Sequence, residues 1–438
     1  MNRRFFSYAM LLALASFSIV GCKLEDISGS DDGEDSSTAS VRLVNLTSAS
    51  DLQLTVDDGD TESTIATAVA SGAASSYKTL DVTSYSIVAS SAGASLSTSS
   101  TSSLSLTEDE EYSIVAFERG GLIKLWKLTD DTDEPSSGYA YFTVINAGSD
   151  AGSLDVYVVE PDTDITDLTP TFSSVSAAST SLTNAISAGT YDIVVTASNK
   201  PNDVRLKLTS VSLASTTIQS LMLTPTSGGA LVDGALIEQG GAVALHRNDT
   251  ARVRVIAAFP AGETSNLAVN VTVGDSSLNS VTAPSIGGYS LVPANTSYYS
   301  VEVGDTAVSS LPVASFNSGG DYTVLAYGNT ENDAAVTVLT DNNQLPSSGA
   351  KIRLVNGAVS AAGLSLSANY ANLFSEINFG KSSVYSGITA GTTRLDLTSP
   401  ATAFTSYTSN VSILSGGVYS LFVLGDTDSA IVLLNKDR

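Results

Sequence analysis

Acidic side chains cluster in short turns of this 438-residue chain, in a pattern that suits a hard cation. One turn reads Asp57-Asp58-Gly59-Asp60, and a second occupies positions 130–134. Oxygen ligands at alternate positions are typical of calcium sites, but neither turn has the full spacing of an EF-hand loop, and a solvated acidic loop is the alternative. We predict no cofactor and no metal site, with structural calcium as the alternative that these turns leave open. Its candidate ligands are Asp57, Asp58, Asp60, Asp130, Asp131 and Asp133.

Groups for catalysis are scarce. His246 is the sole histidine and Cys22 the sole cysteine, which excludes multi-histidine metal sites. The sequence lacks a Gly-x-Ser-x-Gly elbow, a phosphate-binding Gly–Lys loop and a Rossmann fingerprint. We expect His246 to be a solvated residue in a linker and predict no catalytic residue and no enzymatic activity. A cryptic envelope hydrolase with a site in long loops, for example within 160–188, is the alternative.

Cys22 ends the run Ile19-Val20-Gly21-Cys22, behind Arg3, Arg4 and an apolar segment. This arrangement resembles a bacterial lipobox, in which the cysteine is diacylated and becomes the new N-terminus. An ordinary secretory signal and a membrane anchor are alternatives, although the apolar run is shorter than the roughly 20 residues that span a bilayer. We predict a signal peptide over 1–21 and lipidation at Cys22. By resemblance to lipoprotein sorting, Lys23 favours the outer membrane, facing the periplasm or the cell surface.

The chain is strongly acidic, with 45 acidic against 20 basic residues and a net charge of −25. Such a surface repels phosphate backbones, so nucleic acid is excluded as a partner. Residues 22–40 are rich in Asp, Glu, Ser and Gly, which predicts a disordered, lipidated tether.

Four segments of the chain open alike, at spacings of about 100 residues. They are Val41-Arg42-Leu43-Val44-Asn45, Phe142-Thr143-Val144-Ile145-Asn146, Val253-Arg254-Val255-Ile256-Ala257 and Ile352-Arg353-Leu354-Val355-Asn356. The first and third positions are apolar and the second is polar, the signature of a strand with one buried face. The second position is therefore predicted to face solvent, where an Arg contributes little through ion pairs.

The repeats indicate an all-β chain of tandem antiparallel, immunoglobulin-like β-sandwiches, because short alternating strands follow one another with Ser, Thr, Gly and Asp turns. The predicted sandwiches cover 41–130, 139–240, 250–341 and 350–438. Tyr112, Tyr322 and Tyr419 stand near the start of a penultimate strand in three of them. Each is interpreted either as a tyrosine corner, whose hydroxyl holds a loop to the sheet, or as a packed tyrosine only.

Several of these motifs resemble the bacterial family called domain of unknown function 4397. The best match is Val144-Ile145-Asn146-Ala147 followed by the strand that begins at Leu154, and the strand around Ala251 is also similar. The resemblance implies an extracytoplasmic, sandwich-like module and no activity.

Together these observations predict a membrane-anchored, non-catalytic cell-envelope lipoprotein that acts as a scaffold or adhesin-type binding array. Its predicted partners are the membrane, through the N-terminal lipid, and an envelope polymer, a surface glycan or a protein. A periplasmic accessory subunit of an outer-membrane complex is a further alternative.

Overall fold

The computed structural model describes residues 37–91, 102–130, 133–262, 266–359, 361, 363–400 and 404–438. Residues 37–438 form one compact unit. The all-β class and the tandem β-sandwiches are confirmed, with two short 3-10 turns, Glu331–Asp333 and Thr427–Ser429, and no α-helix in the described part. Cys22, Lys23, Asp131, the signal peptide and residues 24–36 of the predicted tether lie outside the described residues, whereas residues 38–40, also predicted as tether, belong to the first strand. Among the residues described, no helix has the length and apolar character to cross a membrane.

The first two sandwiches, repeats 1 and 2, are built as follows. The strands of repeat 1 are β1 (Thr38–Asn45), β2 (Leu52–Asp57), β3 (Glu62–Val69), β4 (Ala73–Ala74), β5 (Lys78–Asp81), β6 (Ser84–Ser91), β7 (Ser102–Ser105), β8 (Glu111–Arg119) and β9 (Leu122–Thr129). Those of repeat 2 are β10 (Tyr139–Asn146), β11 (Leu154–Val159), β12 (Phe172–Val175), β13 (Ser179–Thr180), β14 (Asn184–Ser187), β15 (Gly189–Ala197), β16 (Lys200–Leu213), β17 (Ile218–Pro225), β18 (Val232–Glu238) and β19 (Val243–His246).

Repeats 3 and 4 follow the same plan. The strands of repeat 3 are β20 (Thr250–Ala257), β21 (Ala268–Val273), β22 (Ser276–Ser277), β23 (Val281–Thr282), β24 (Ser285–Ile286), β25 (Ser290–Pro293), β26 (Tyr299–Val303), β27 (Thr306–Ala307), β28 (Asp321–Tyr327) and β29 (Ala335–Asp341). Those of repeat 4 are β30 (Ala350–Val359), β31 (Leu364–Ala368), β32 (Ala371–Ile377), β33 (Lys381–Ser382), β34 (Ser386–Ile388), β35 (Gly391–Thr398), β36 (Tyr407–Ile413), β37 (Val418–Asp426) and β38 (Ile431–Lys436).

Each repeat has a terminal sheet, which holds its first and last strands, and a middle sheet. In repeat 1 the terminal sheet has the order β4-β1-β8-β9 and the middle sheet the order β3-β2-β6-β7. Alternation along the strands points one set of apolar side chains between the two sheets, such as Val41 and Leu43 of β1 against Leu52 and Leu54 of β2. The other repeats have equivalent cores.

The first strand of every repeat runs parallel to the penultimate strand, which differs from the purely antiparallel prediction. Val41 aligns with Tyr112 in repeat 1, and Ile352 aligns with Tyr419 in repeat 4. The remaining strand pairs are antiparallel. Alternation of apolar residues sets which face of a strand is buried and carries no information on strand direction, so the sequence could not show this pairing.

Three tyrosine corners are present. The hydroxyls of Tyr112, Tyr322 and Tyr419 accept hydrogen bonds from a backbone N–H five residues upstream, at 3.2, 2.9 and 2.9 Å respectively. All three side chains are buried. The corner interpretation is therefore confirmed in repeats 1, 3 and 4, and Gln219 of repeat 2 aligns at the same register position.

The terminal sheets pack face to face in pairs. In pair 1·2, Val44, Phe117, Ile145 and Met222 are among the side chains of a shared apolar cluster. In pair 3·4, repeats 3 and 4 share an equivalent cluster around Ile256 and Phe422. Burying a side chain of this size contributes about 1.5–3 kcal/mol, so each interface is a second core that the single repeats lack.

The connection between the pairs is structured. The interval between the predicted sandwiches 139–240 and 250–341 was expected to be a linker around His246, yet Val243–His246 form β19, which adds to the terminal sheet of repeat 2. The hairpin loop between β17 and β18 reaches repeat 3, where Gly228 N donates to Gly319 O at 3.0 Å. A Cβ at Gly228 would lie 2.7 Å from that oxygen, so this approach requires glycine.

Candidate functional site

The arginines at the second position of the repeats are buried, so the prediction that they face solvent is wrong. Arg42, Arg254 and Arg353 are only 1–2% exposed. Their side chains do point away from the core of their own sandwich, but the terminal sheet of the paired repeat covers that face. A buried guanidinium requires carboxylate or carbonyl acceptors, and each of the two interfaces supplies them.

In pair 3·4 the arginines are exchanged between the repeats. Arg254 of repeat 3 donates to Asp437 of repeat 4 at 2.5 Å, and Arg353 of repeat 4 donates to Asp341 of repeat 3 at 2.6 Å. Burial alone would raise the pKa of Asp341, but Arg353 and Arg254 outweigh it and hold that pKa below its usual value. Burial, and then the charge of Asp341, raise the pKa of Tyr289, whose hydroxyl donates to that carboxylate.

In pair 1·2 only repeat 1 carries this set of residues. Arg42 donates across the interface to two backbone oxygens of repeat 2, those of Glu238 and Gly241, both at 3.0 Å. Within repeat 1, Asp130 accepts from the hydroxyls of Tyr77 and Ser113. These groups satisfy one another, whereas the exchanged ion pairs of pair 3·4 leave Arg254 Nη2 without a hydrogen bond, 3.5 Å from Asp341. Both clusters are polar cores that fix the pairing rather than open sites.

The calcium candidates are dispersed in the structure. Asp130 is 5% exposed and lies 3.6 Å from Arg42, which already neutralises its carboxylate. The carboxylate of Asp57 accepts the backbone N–H of Gly59, and that of Asp58 accepts the backbone N–H of Asp60. The bond from Asp60 is the main reason that the pKa of Asp58 is lowered. Within the described ranges no three acidic, His or Cys side chains are arranged to hold a metal ion; Asp133 belongs to no such group.

His246 lies in β19 and is half-buried, contrary to the prediction of a solvated linker residue. Burial lowers its pKa. The imidazole shares a cavity of about 290 Å³ with Ser210, Ser212 and Glu238. It makes no hydrogen bond to these or to any other described residue, so the described geometry contains no assembled Ser–His–acid triad.

A groove of about 890 Å³ lies at the junction of repeats 1, 2 and 3. Repeat 1 supplies the tip of the β8–β9 hairpin, repeat 2 supplies the β17–β18 loop and Arg247 follows β19. Its polar lining consists of Ser48, Glu118, Arg119, Thr224, Thr226, Ser227, Asp233, Arg247, Asn248, Asp249, Asn295, Ser318 and Gln344.

Ion pairs hold the walls of this groove. Arg119 of repeat 1 donates two bonds of 2.9 Å to Asp150 of repeat 2. Arg247 donates to Asp233 at 2.9 Å, while almost half of the Arg247 side chain remains exposed. The groove therefore presents hydroxyl, amide and guanidinium groups on positions fixed by neighbouring repeats. Sequence reasoning missed these residues because they come from distant segments and share no motif.

The family model described as Domain of unknown function (DUF4397) matches residues 39–157 and 251–367, together more than half of the chain. The chain belongs to the DUF4397 family. Each match begins at the first strand of an odd repeat and ends in the second strand of the next one, β11 or β31. In this DUF4397 protein a match thus crosses the interface within a pair, and neither match crosses from repeat 2 to repeat 3.

No curated protein sequence matches the chain. Among solved structures, a family CBM26 module of Eubacterium rectale Amy13K, crystallised with maltoheptaose, is 14% identical with a TM-score of 0.17; the match covers 46% of this chain and 96% of that one. The Bacillus anthracis TIE protein is 8% identical with a TM-score of 0.15, over 86% of this chain and 69% of that one. At these scores neither likeness supports an argument about function.

Proposed function

We propose that this DUF4397 protein is a non-catalytic binding protein of the cell envelope, lipidated at Cys22 and anchored in the outer membrane. The observation that carries the binding role is the groove at the junction of repeats 1, 2 and 3. Its walls come from three sandwiches, so the groove exists only because the repeats are held together. Independent spacer domains would not form such a groove, so the arrangement favours a ligand-binding role.

The chemistry of the groove favours a polar, extended ligand. Hydroxyl and amide groups such as those of Ser48, Ser227 and Gln344 both donate and accept hydrogen bonds. Its described lining contains no Trp, Tyr or Phe, so a ligand would be held by hydrogen bonds and charge rather than by ring stacking. We therefore propose an envelope polymer or surface glycan rich in hydroxyl groups as the ligand.

The test is binding of the mature chain, kept in solution by Cys22→Ser, to isolated envelope polymers and glycans. Ser227 is exposed at the groove, so Ser227→Trp should obstruct it and weaken binding at least about tenfold. Ser309→Trp places the same bulk on an exposed serine of repeat 3 outside the groove and should bind like the parent. Equal binding by both variants would exclude the groove.

The non-catalytic and anchoring parts are tested separately. A hydrolase panel should show no turnover; turnover that is lost in His246→Ala, or on replacing a carboxylate within 160–188, would establish the hydrolase alternative. Cys22→Ala should release the protein from the membrane fraction or leave it as the precursor. Unchanged fractionation together with unchanged mass would refute lipidation.

A further inference from the structure

A second cavity, of about 530 Å³, lies where repeats 2, 3 and 4 meet. Its walls carry Lys200 and Arg205 from repeat 2, Arg252 from repeat 3, and Lys436 and Arg438 from repeat 4. Five of the 20 basic residues of a chain with net charge −25 are thus collected around one space. Such a concentration of positive charge attracts anions.

Two of these cations have carboxylate partners. Arg252 donates to Asp321 at 2.8 and 2.6 Å, and Arg205 donates to Asp203 at 2.8 Å. Asp437 also lines the cavity, but its carboxylate accepts from Arg254 in the interface of pair 3·4. The charges of Arg205 and Arg252 are therefore balanced by their own carboxylates, and the charge of Asp437 is balanced outside the cavity.

The other three cations have no carboxylate partner. Arg438 donates to a neutral acceptor, the backbone oxygen of Asp150. Lys200 and Lys436 are exposed at the rim, and their ammonium groups have no hydrogen bond or ion pair with any described residue. This part of the cavity therefore has positive charge in excess.

The interior of the cavity holds an unused donor. Arg205 is 6% exposed, and its buried Nε has no acceptor among the described residues, although Nη1 donates to Ala230 O at 2.8 Å. Burial, and then the charges of Arg205 and Arg252, lower the pKa of Arg438 to about 10. The guanidinium groups thus repel one another, a cost that a bound anion would reduce.

We propose that this cavity binds an oxyanion, a carboxylate, sulfate or phosphate group, between Arg438 and the rim lysines Lys200 and Lys436. A guanidinium fork matches the geometry of an oxyanion, and the two ammonium groups add charge without fixed geometry. The site is separate from the groove of the proposed function and uses different residues. The oxyanion is either a free ion or a substituent of an acidic saccharide.

Calorimetric titration of the mature Cys22→Ser chain with sodium sulfate and with inorganic phosphate, at constant ionic strength in chloride, tests the site. The parent should bind at least one of them. Arg438→Gln, and the double variant Lys200→Gln/Lys436→Gln, should each weaken binding at least about tenfold, because each removes charge-assisted hydrogen bonds. The double variant Lys124→Gln/Lys381→Gln removes the same charge outside the cavity and should bind like the parent.

A second arm separates the sources of the oxyanion. Polygalacturonate, with dextran as the neutral control, should bind in place of the free ions if the group is a saccharide substituent, and binding should be lost in the same variants. Ser227→Trp should leave either response unchanged, so failure of the groove and failure of this site remain distinguishable. Absence of binding by sulfate, phosphate and polygalacturonate, or equal weakening by the control double variant, would overturn the proposal.

Discussion

The two interfaces between paired repeats have equivalent apolar clusters but differ in the number of buried charges. In pair 3·4, two arginines and two aspartates are exchanged between the partners. In pair 1·2, Thr143 occupies the position of Arg353, and Ser220 aligns with it as Ser420 aligns with Arg353. A cavity of about 250 Å³, lined by Thr143, Ser220 and other residues, remains there. The comparison shows that two sandwiches with a shared apolar cluster pair without exchanged ion pairs, where one buried guanidinium has backbone acceptors in the partner.

Removing one carboxylate from each interface should give the largest difference in unfolding free energy between the two pairs. Asp341→Ala leaves Arg254 and Arg353 with only Asp437 and should cost about 3–5 kcal/mol of unfolding free energy. Asp130→Ala should cost about 1–3 kcal/mol, because Arg42 keeps its carbonyl acceptors. Hydrogen exchange, read separately in peptides of each pair, measures both losses. Equal losses would show that the difference in charge has no energetic effect.

A reciprocal exchange at the second position is the next test. Arg353→Thr should lower the free energy of unfolding of pair 3·4 by about 2–3 kcal/mol, since Arg254 is then the one cation left beside Asp341 among the described residues. Thr143→Arg should raise that of pair 1·2 by about 1 kcal/mol, by filling the cavity and reaching Asp130. Thr143→Met fills the same space without charge and serves as the control. A gain as large with Met would assign the effect to volume alone.

The fourth position of the repeats shows why the prediction placed these arginines in solvent. Alternation places positions two and four on the same face, and an Arg at position two suggested solvent. Yet position four is Val44, Ile145, Ile256 or Val355, and all four are buried against the paired repeat. The apolar fourth position was the available signal that the outer face is covered. The sandwiches followed from local alternation, whereas the pairing, the groove and the basic cavity depend on contacts between distant segments.

Acid should destabilise pair 3·4 more than pair 1·2. The pKa of Asp341 is lowered in the folded protein, so its contribution to stability is present above the unfolded-state value of about 3.9 and is lost as the pH falls through the lower folded value. Hydrogen exchange at pH 5, 4 and 3 should therefore show a steeper loss in peptides of pair 3·4. Asp341→Asn should remove that excess slope; an unchanged slope in this variant would assign it to other carboxylates.

The tyrosine corners should give the smallest effect. Tyr419→Phe removes the acceptor of Leu414 N and should cost about 1 kcal/mol. Tyr322→Phe should cost about the same in repeat 3. Repeat 2 has Gln219 at this position, so Gln219→Phe serves as a control that has no tyrosine hydroxyl bond to lose. Urea unfolding measures each change, and a cost below about 0.3 kcal/mol for both Tyr variants would show that the hydroxyl bond contributes nothing net.

Strand β19 determines how a chain of this design grows in length. In repeat 1, Val41 of β1, Tyr112 of β8 and Thr129 of β9 are aligned across three adjacent strands, a width of about 10 Å. The start of β1 and the end of β9 therefore lie at the same end of the terminal sheet. Repeat 2 would leave at that end too, but β19 runs antiparallel to β18 and carries the chain back along the sheet before repeat 3 begins. The chain thus doubles back within a pair and advances between pairs. The pair of sandwiches, with the returning strand as the joint, is therefore the unit whose repetition would lengthen the chain without altering either interface.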